Sequence, residues 1–253
     1  LAGIGVLAWF VRRQRNLEYP LVDVRLFREK VFTVAVITGV LSLFAWSAGA
    51  YLTGIWLQSV LGLSVLTAAL LALPGAAVLT TICILTPALS EKIGKRAALV
   101  TCHFTMAAGL ALLLATTVTG GIGWYIASTA VAGIGYGISF ALVADTAVAA
   151  VPANRAGSAG AIAETSNEIG NALGIALLGS TAALIFRLIG PDVAPTLDET
   201  LATGAATTVL AQAKGAFLTG MHVAMAIAAV LCAALGALAL RWIPKNRHET
   251  APE

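Results

Sequence analysis

The sequence predicts an all-α protein, a polytopic bundle of transmembrane helices. Three observations carry that prediction. Hydrophobic residues make up 59% of the 253 and charged residues only 11%, against about 25% charge in ordinary soluble domains. The apolar residues gather into six runs, at roughly 31–59, 67–90, 97–117, 122–150, 157–188 and 215–243. Each is long enough to cross a bilayer, which takes about 20 helical residues, with some excess to tilt. The basic residues between the runs are distributed as membrane topology requires.

Taken in chain order, the first segment is LAGIGVLAWFVRRQR, with about eleven apolar residues before an Arg cluster. Too short to cross a bilayer and without the basic start of a signal peptide, residues 1–11 are expected to be the end of a truncated transmembrane helix in a longer protein. Residues 12–30 form a basic linker in which Leu21, Val24, Leu26 and Phe27 are mixed with charge, a pattern suited to lying along the membrane surface. Residues 31–243 hold the six spans. Pro74 and Pro87 fall inside the second, where each removes a backbone hydrogen bond and is expected to bend the helix. Gly133–Gly137 and Gly170–Gly174 have the small-xxx-small spacing that lets helices approach closely. A loop at about 189–214 is long for a tight bundle, and its LDETLATGAATTVLAQAK portion is compatible with a short helix over the outer mouth or with a solvated spacer. Residues 244–253 form a polar tail.

Thirteen of the fifteen Lys and Arg lie in 12–30, 91–96, 151–156 and the tail from Arg241, leaving only Arg187 and Lys214 on the other side. The positive-inside rule makes the first set cytoplasmic, and six crossings return the C-terminus to the cytoplasm. Trp9 and Trp242 then fall near the inner boundary, and Trp56 and Trp124 near the outer one, as aromatic belts do. The net charge of +3 is thereby orientation rather than a binding patch. Charges this sparse cannot neutralise a phosphate backbone, so nucleic acid is excluded as a partner.

The fifth run, GSAGAIAETSNEIGNALGIALLGS, carries Glu164 and Glu168 at membrane depth, where an ionisable side chain costs several kcal/mol and is usually functional. Four residues apart, the two carboxylates sit about 40° apart around a helix and about 6 Å apart along it. Asn167 and Asn171 share their face. The resulting polar stripe suits a proton or cation pathway, and its structural alternative is interhelical hydrogen bonding by protonated carboxyls. Asp145, in the preceding run, lies seven residues before Pro152 and so about 10 Å inside the cytoplasmic boundary. His103 and His222 are lone histidines on apolar spans, and Cys83, Cys102 and Cys232 read as small buried hydrophobes. No spacing supports metal ligation, a nucleotide loop or a nucleophile–base pair, so no enzyme and no bound cofactor is expected.

YPLVDVRLFREKVFTVAVI, WLQSVLGLSVLTAALLALPGA and GSAGAIAETSNEIGNALGIALLGS resemble the C-terminal half of fourteen-helix drug:proton antiporters of the major facilitator superfamily, of the QacA/SmvA/LfrA type that exports quaternary ammonium compounds. The resemblance covers essentially the whole chain. It implies one six-helix lobe of a major-facilitator fold, with 1–11 as the end of a preceding helix, paired with an N-terminal half of the same transporter around a central cavity. It further implies export of lipophilic cations across the bacterial cytoplasmic membrane, with the proton gradient as the energy source.

On the same resemblance Glu164 and Glu168 match membrane acids used for cation recognition or proton coupling. The ALSEKIGKR segment matches a cytoplasmic loop motif in which Lys92, Lys95 and Arg96 form state-dependent ion pairs, although topology alone accounts for them equally well. Some members carry an acid after the LP pair of the second span, associated with divalent cations. LPGAAVLTTICIL has none, which favours monovalent substrates.

In such a cavity a cation favours an ionised carboxylate and a proton neutralises it, so the two compete for one site, the minimum needed for exchange. Phe44, Trp46, Tyr51 and Tyr136 are the aromatic candidates for its wall, at positions that the sequence equally allows to face lipid or a neighbouring helix. The alternatives are a major-facilitator exporter of another small molecule (a lipid precursor, amino acid or metabolite) and a non-transporting scaffold or sensor.

Overall fold

The computed structural model describes residues 24–28, 30–149 and 151–242, together with the isolated positions 3, 5, 6, 9, 12 and 13. Most of 1–23, with Leu21, and the tail 244–253 lie outside the described residues, and so do the side chains of Val24, Lys95 and Trp242.

Among the described residues the chain is helical with no strand. We label the helices α1 (Lys30–Ile55), α2 (Val65–Ile93), α3 (Lys95–Leu112), α4 (Ile122–Ala149), α5 (Ala156–Ile189), α6 (Leu197–Ala202) and α7 (Thr207–Trp242). All but α6 are long and apolar enough to cross a membrane, α3 with the help of a 3-10 turn, Leu113–Ala115. Local chemistry sets their ends. Ser64 caps α2 by accepting from Thr67 N at 3.2 Å. Between α2 and α3 the backbone turns at Gly94 with φ 81°, a left-handed value that a side chain would strain. Thr196 caps α6, whose first turn places Asp198 and Glu199 at the positive end of the helix dipole.

α1 packs against α4, α5 and α7, while α4 also packs against α2 and α3, and α7 against α3 and α5. Glycines decide how closely these pairs approach. A Cβ at Gly170 would meet the Val40 carbonyl, and one at Gly174 the Phe44 carbonyl, so α5 rests on the α1 backbone. Gly133 and Gly137 likewise meet Gly75 O at 3.1 Å and Leu79 O at 2.8 Å, seating α4 on α2. Both small-xxx-small pairs are therefore packing surfaces. α2 runs through Pro74 and Pro87 as one helix and buries only Ala68, Gly75 and Thr86.

Several expectations change. The 3-10 turn Val24–Arg28 buries Leu26 against Phe32, Val36 and Ile162, so this end of the linker docks on the bundle, while Phe27 stays exposed. The loop expected at about 189–214 is shorter, because α7 begins at Thr207, and the short helix α6 occupies 197–202. That loop and the first turns of α7 are fastened to the turn that follows α1. Ser59 Oγ donates to Asp198 Oδ1 at 2.6 Å, Lys214 Nζ donates to Val60 O at 2.7 Å, and Leu197 is buried.

Trp56 is no belt residue. It begins a π-helical turn, Trp56–Val60, is fully buried, and donates its indole N–H to Thr117 O at 3.0 Å. Trp124 keeps an exposed position. The three cysteines are free thiols, Cys102 and Cys232 buried and Cys83 partly so. His103 pairs its Nδ1 with Leu99 O at 2.7 Å, and His222 pairs its Nε2 with the Thr116 hydroxyl at 3.0 Å.

Candidate substrate groove

Three helices bring the polar stripe of α5 to an open groove. Ser47 Oγ donates to the Asn171 carbonyl at 3.2 Å, and the Gly170 and Gly174 approaches fix α5 in the same register on α1. With that register set, Glu164, Asn167, Glu168 and Asn171 line a cavity of about 500 Å³ with Trp46 and Tyr51 of α1 and Tyr136 and Phe140 of α4. Glu164 and Glu168 are exposed to it, and Asn171 Nδ2 lies 3.5 Å from Glu168 Oε2, a long hydrogen bond. Asn167 is half-buried, its amide directed at the bare Cα of Gly39.

Opposite the carboxylates stands an aromatic wall. Trp46 and Tyr136 stack with centroids 5.0 Å apart, and Tyr136 meets Phe140 at 6.0 Å and a 56° tilt. Tyr51 extends the wall toward the C-terminal end of α1, its ring close to Gly179. Aromatic faces attract cations through their quadrupole, and carboxylates do so through charge. The groove therefore offers two kinds of attraction to one positively charged, partly apolar body.

Not every candidate residue is there. Phe44 turns to the other side of α1, where it lines an apolar cleft with Val40, Leu231 and Leu235. Two residues from Trp46 is about 200° around a helix, so both cannot face one groove. Asp145 is exposed and is not among the groove's lining residues, since nine residues beyond Tyr136 is half a turn out of phase. Lys92 is exposed in the last turn of α2, favourably placed on its negative dipole end. Arg96, at the start of α3, donates to the Leu240 carbonyl near the end of α7. Phe140 and Ser47, not among the sequence candidates, also line the groove. Phe140 lies four residues after Tyr136 on the same helix face, a spacing legible in the sequence.

Among the described residues no cluster of His, Cys, Asp and Glu is arranged to hold a metal ion. A bundle of membrane-length helices with an acidic, aromatic-walled groove along one side has the build of a membrane carrier for small molecules. The chain belongs to the Major Facilitator Superfamily, whose family model matches residues 1–175. It is 32% identical over 255 residues to the multidrug efflux pump LfrA of Mycolicibacterium smegmatis, an alignment covering 93% of this chain and 50% of that protein. It is 25% identical over 275 residues to the multidrug resistance protein Stp of Mycobacterium tuberculosis, covering 97% of this chain and 50% of that protein. The chain thus spans about half the length of these curated relatives. A shorter match, 29% over 96 residues, is to the uncharacterized MFS-type transporter YhcA of Bacillus subtilis.

Proposed function

We propose that this chain is the C-terminal lobe of a proton-coupled exporter of lipophilic cationic drugs and quaternary ammonium compounds in the bacterial cytoplasmic membrane. The carrying observation is the juxtaposition of Glu164 and Glu168 with the Trp46–Tyr136–Phe140 wall. The carboxylates take the charge of the substrate and the rings take its apolar body. Because a proton and a cation compete for the same carboxylates, loading one expels the other. Similarity to LfrA and Stp, two proteins named for multidrug efflux and resistance, supports drug export.

An N-terminal half of the same transporter closes the groove from the facing side, and rocking of the two lobes exposes it alternately to each face of the membrane. The excess of Lys and Arg in the loops assigned to the cytoplasm orients the lobe with its C-terminus inside. Lys92, Lys95 and Arg96 would take part in the closure at that side, where Arg96 donates to the Leu240 carbonyl. Asp145 stands outside the shared cation–proton site.

The test is ethidium-driven proton movement in proteoliposomes of the full-length transporter, comparing wild type with Glu168→Gln. Loss of coupled exchange in a folded variant is the expected result. Unchanged exchange would reduce Glu168 to a structural acid, and no exchange in wild type would favour another substrate class.

A further inference from the structure

A second pocket opens beside the groove, between α1, α2, α3 and α4, with a volume of about 160 Å³. It shares Trp46 and Ala50 with the groove, so the indole is a common wall of both. Ala50 and Ala76 at its mouth are exposed, whereas Leu110, Leu113, Tyr125 and Ala132 at its floor are buried. The space is bordered by small residues. Ala50, Ala72 and Ala76 present only methyl groups to it, while Gly75 lets α2 close on Thr129 of α4 beside it.

An apolar cavity of about 150 Å³ stays dry and accepts a benzene molecule. This pocket is of that size though open at its mouth, and its lining is mostly apolar, with the Trp46 and Tyr125 rings and the side chains of Thr53, Ser128 and Thr129 among it.

We infer that this pocket is an aryl subsite of the groove, taking a phenyl-sized arm of a monovalent cation whose charge rests at Glu164 and Glu168. The inference rests on the cation-binding reading of the groove. Because Trp46 and Ala50 line both spaces, the two lie side by side, and one ligand reaching past the small Ala50 would place its charge on the acidic side and its ring on the apolar side. An aliphatic cation of the same charge gains the carboxylates and the aromatic wall but leaves the subsite empty. The pocket is thus a determinant of which lipophilic cations are preferred.

The test compares two cations that share a charge and a dodecyl chain and differ in one ring, benzyldimethyldodecylammonium and dodecyltrimethylammonium. Their affinities are measured on the full-length transporter in nanodiscs, in wild type, Ala76→Phe, Ala76→Leu and Glu168→Gln. Filling the mouth at Ala76 is expected to weaken the benzyl cation by about tenfold or more, the contribution of one buried ring, while the trimethyl cation changes by less than about twofold. Glu168→Gln is expected to weaken both together. The leucine variant carries the comparison should phenylalanine prevent folding. Parallel loss of both cations in the Ala76 variants, or loss of neither, overturns the subsite and leaves the groove standing. Wild type that binds neither cation, or binding indifferent to Glu168→Gln, overturns the groove reading and the subsite with it.

Discussion

Trp46 lies nearly flat on Tyr136, with ring centroids 5.0 Å apart and planes inclined by 12°, so one aromatic stack joins α1 to α4 along the groove wall. The pair has two roles, as a contact between helices and as a surface for ligand. An aromatic pair contributes about 0.5–1.5 kcal/mol beyond the area it buries. A double-mutant cycle of Trp46→Leu and Tyr136→Leu, read by thermal unfolding of the purified transporter, is expected to show coupling in that range. Each single variant is also expected to bind ethidium more weakly. Additive losses in stability would mean that the rings are neighbours without mutual support.

The two glycine classes of α5 separate packing from propensity. A Cβ at Gly174 would strike the Phe44 carbonyl, which belongs to a helix backbone and cannot swing aside, whereas a Cβ at Gly160 meets nothing within 4 Å. Gly174→Ala is expected to cost about 1–3 kcal/mol or to abolish folded protein. Gly160→Ala is expected to be neutral or to stabilise by about 0.5–1 kcal/mol through helix propensity. Yield and unfolding midpoint in detergent decide, and equal behaviour of the two variants would refute close α1–α5 contact.

Those glycines also show what the sequence makes legible. Four polar residues at helical spacing in an apolar run can place the stripe at 164, 167, 168 and 171, because water-free surroundings leave few other uses for it. Trp46 and Tyr136 are readable as candidates, but their stacking depends on the α1–α4 contact, which no local pattern encodes. Phe44, an open candidate by residue type, lies on the other side of α1, as its phase relative to Trp46 requires. Trp56, by contrast, was misassigned. Its depth is right for a belt, but the π turn and the carbonyl of Thr117 draw it into the bundle.

That carbonyl gives a direct check on Trp56. Trp56→Phe keeps an aromatic ring in the core but removes the N–H donor, leaving Thr117 O without this partner. The expected loss is about 1–2 kcal/mol. Trp124→Phe, at an exposed site, is expected to change stability by less than about 0.5 kcal/mol. Denaturation of the two variants in the same detergent makes the comparison, and similar losses would return Trp56 to the belt.

The α5–α7 connection and the first turns of α7 are held to the π turn after α1 by two polar contacts, Ser59 to Asp198 of α6 and Lys214 of α7 to Val60 O. Asp198→Ala and Lys214→Met are each expected to raise backbone hydrogen exchange within 190–206, with little effect on the midmembrane parts of α1 and α5. A surface ion or hydrogen bond is worth little alone, so the double variant is expected to open the loop further than either single one. Protection unchanged in the double variant would assign the docking of α6 to Leu197 and its apolar neighbours instead.

Gly39 and Asn167 give the sharpest coupling between fold and groove. A Cβ added at Gly39 would sit 2.5 Å from Asn167 Oδ1 and 3.0 Å from Val143 Cγ1, at the point where α1, α4 and α5 converge. The amide is the nearer obstacle, and as a short side chain on the groove it has one direction in which to yield. Gly39→Ala is therefore expected to push Asn167 toward the groove, weakening ethidium binding and costing about 1–2 kcal/mol of stability. Adding Asn167→Ala removes the obstructing atoms, so the double variant is expected to recover most of the stability lost by Gly39→Ala, a non-additivity that residues in contact can show. Binding is not expected to recover with it, because the amide is then absent. If the stability losses add instead, Val143 rather than Asn167 is the group that Gly39 accommodates, and the amide is free to move without reference to α1.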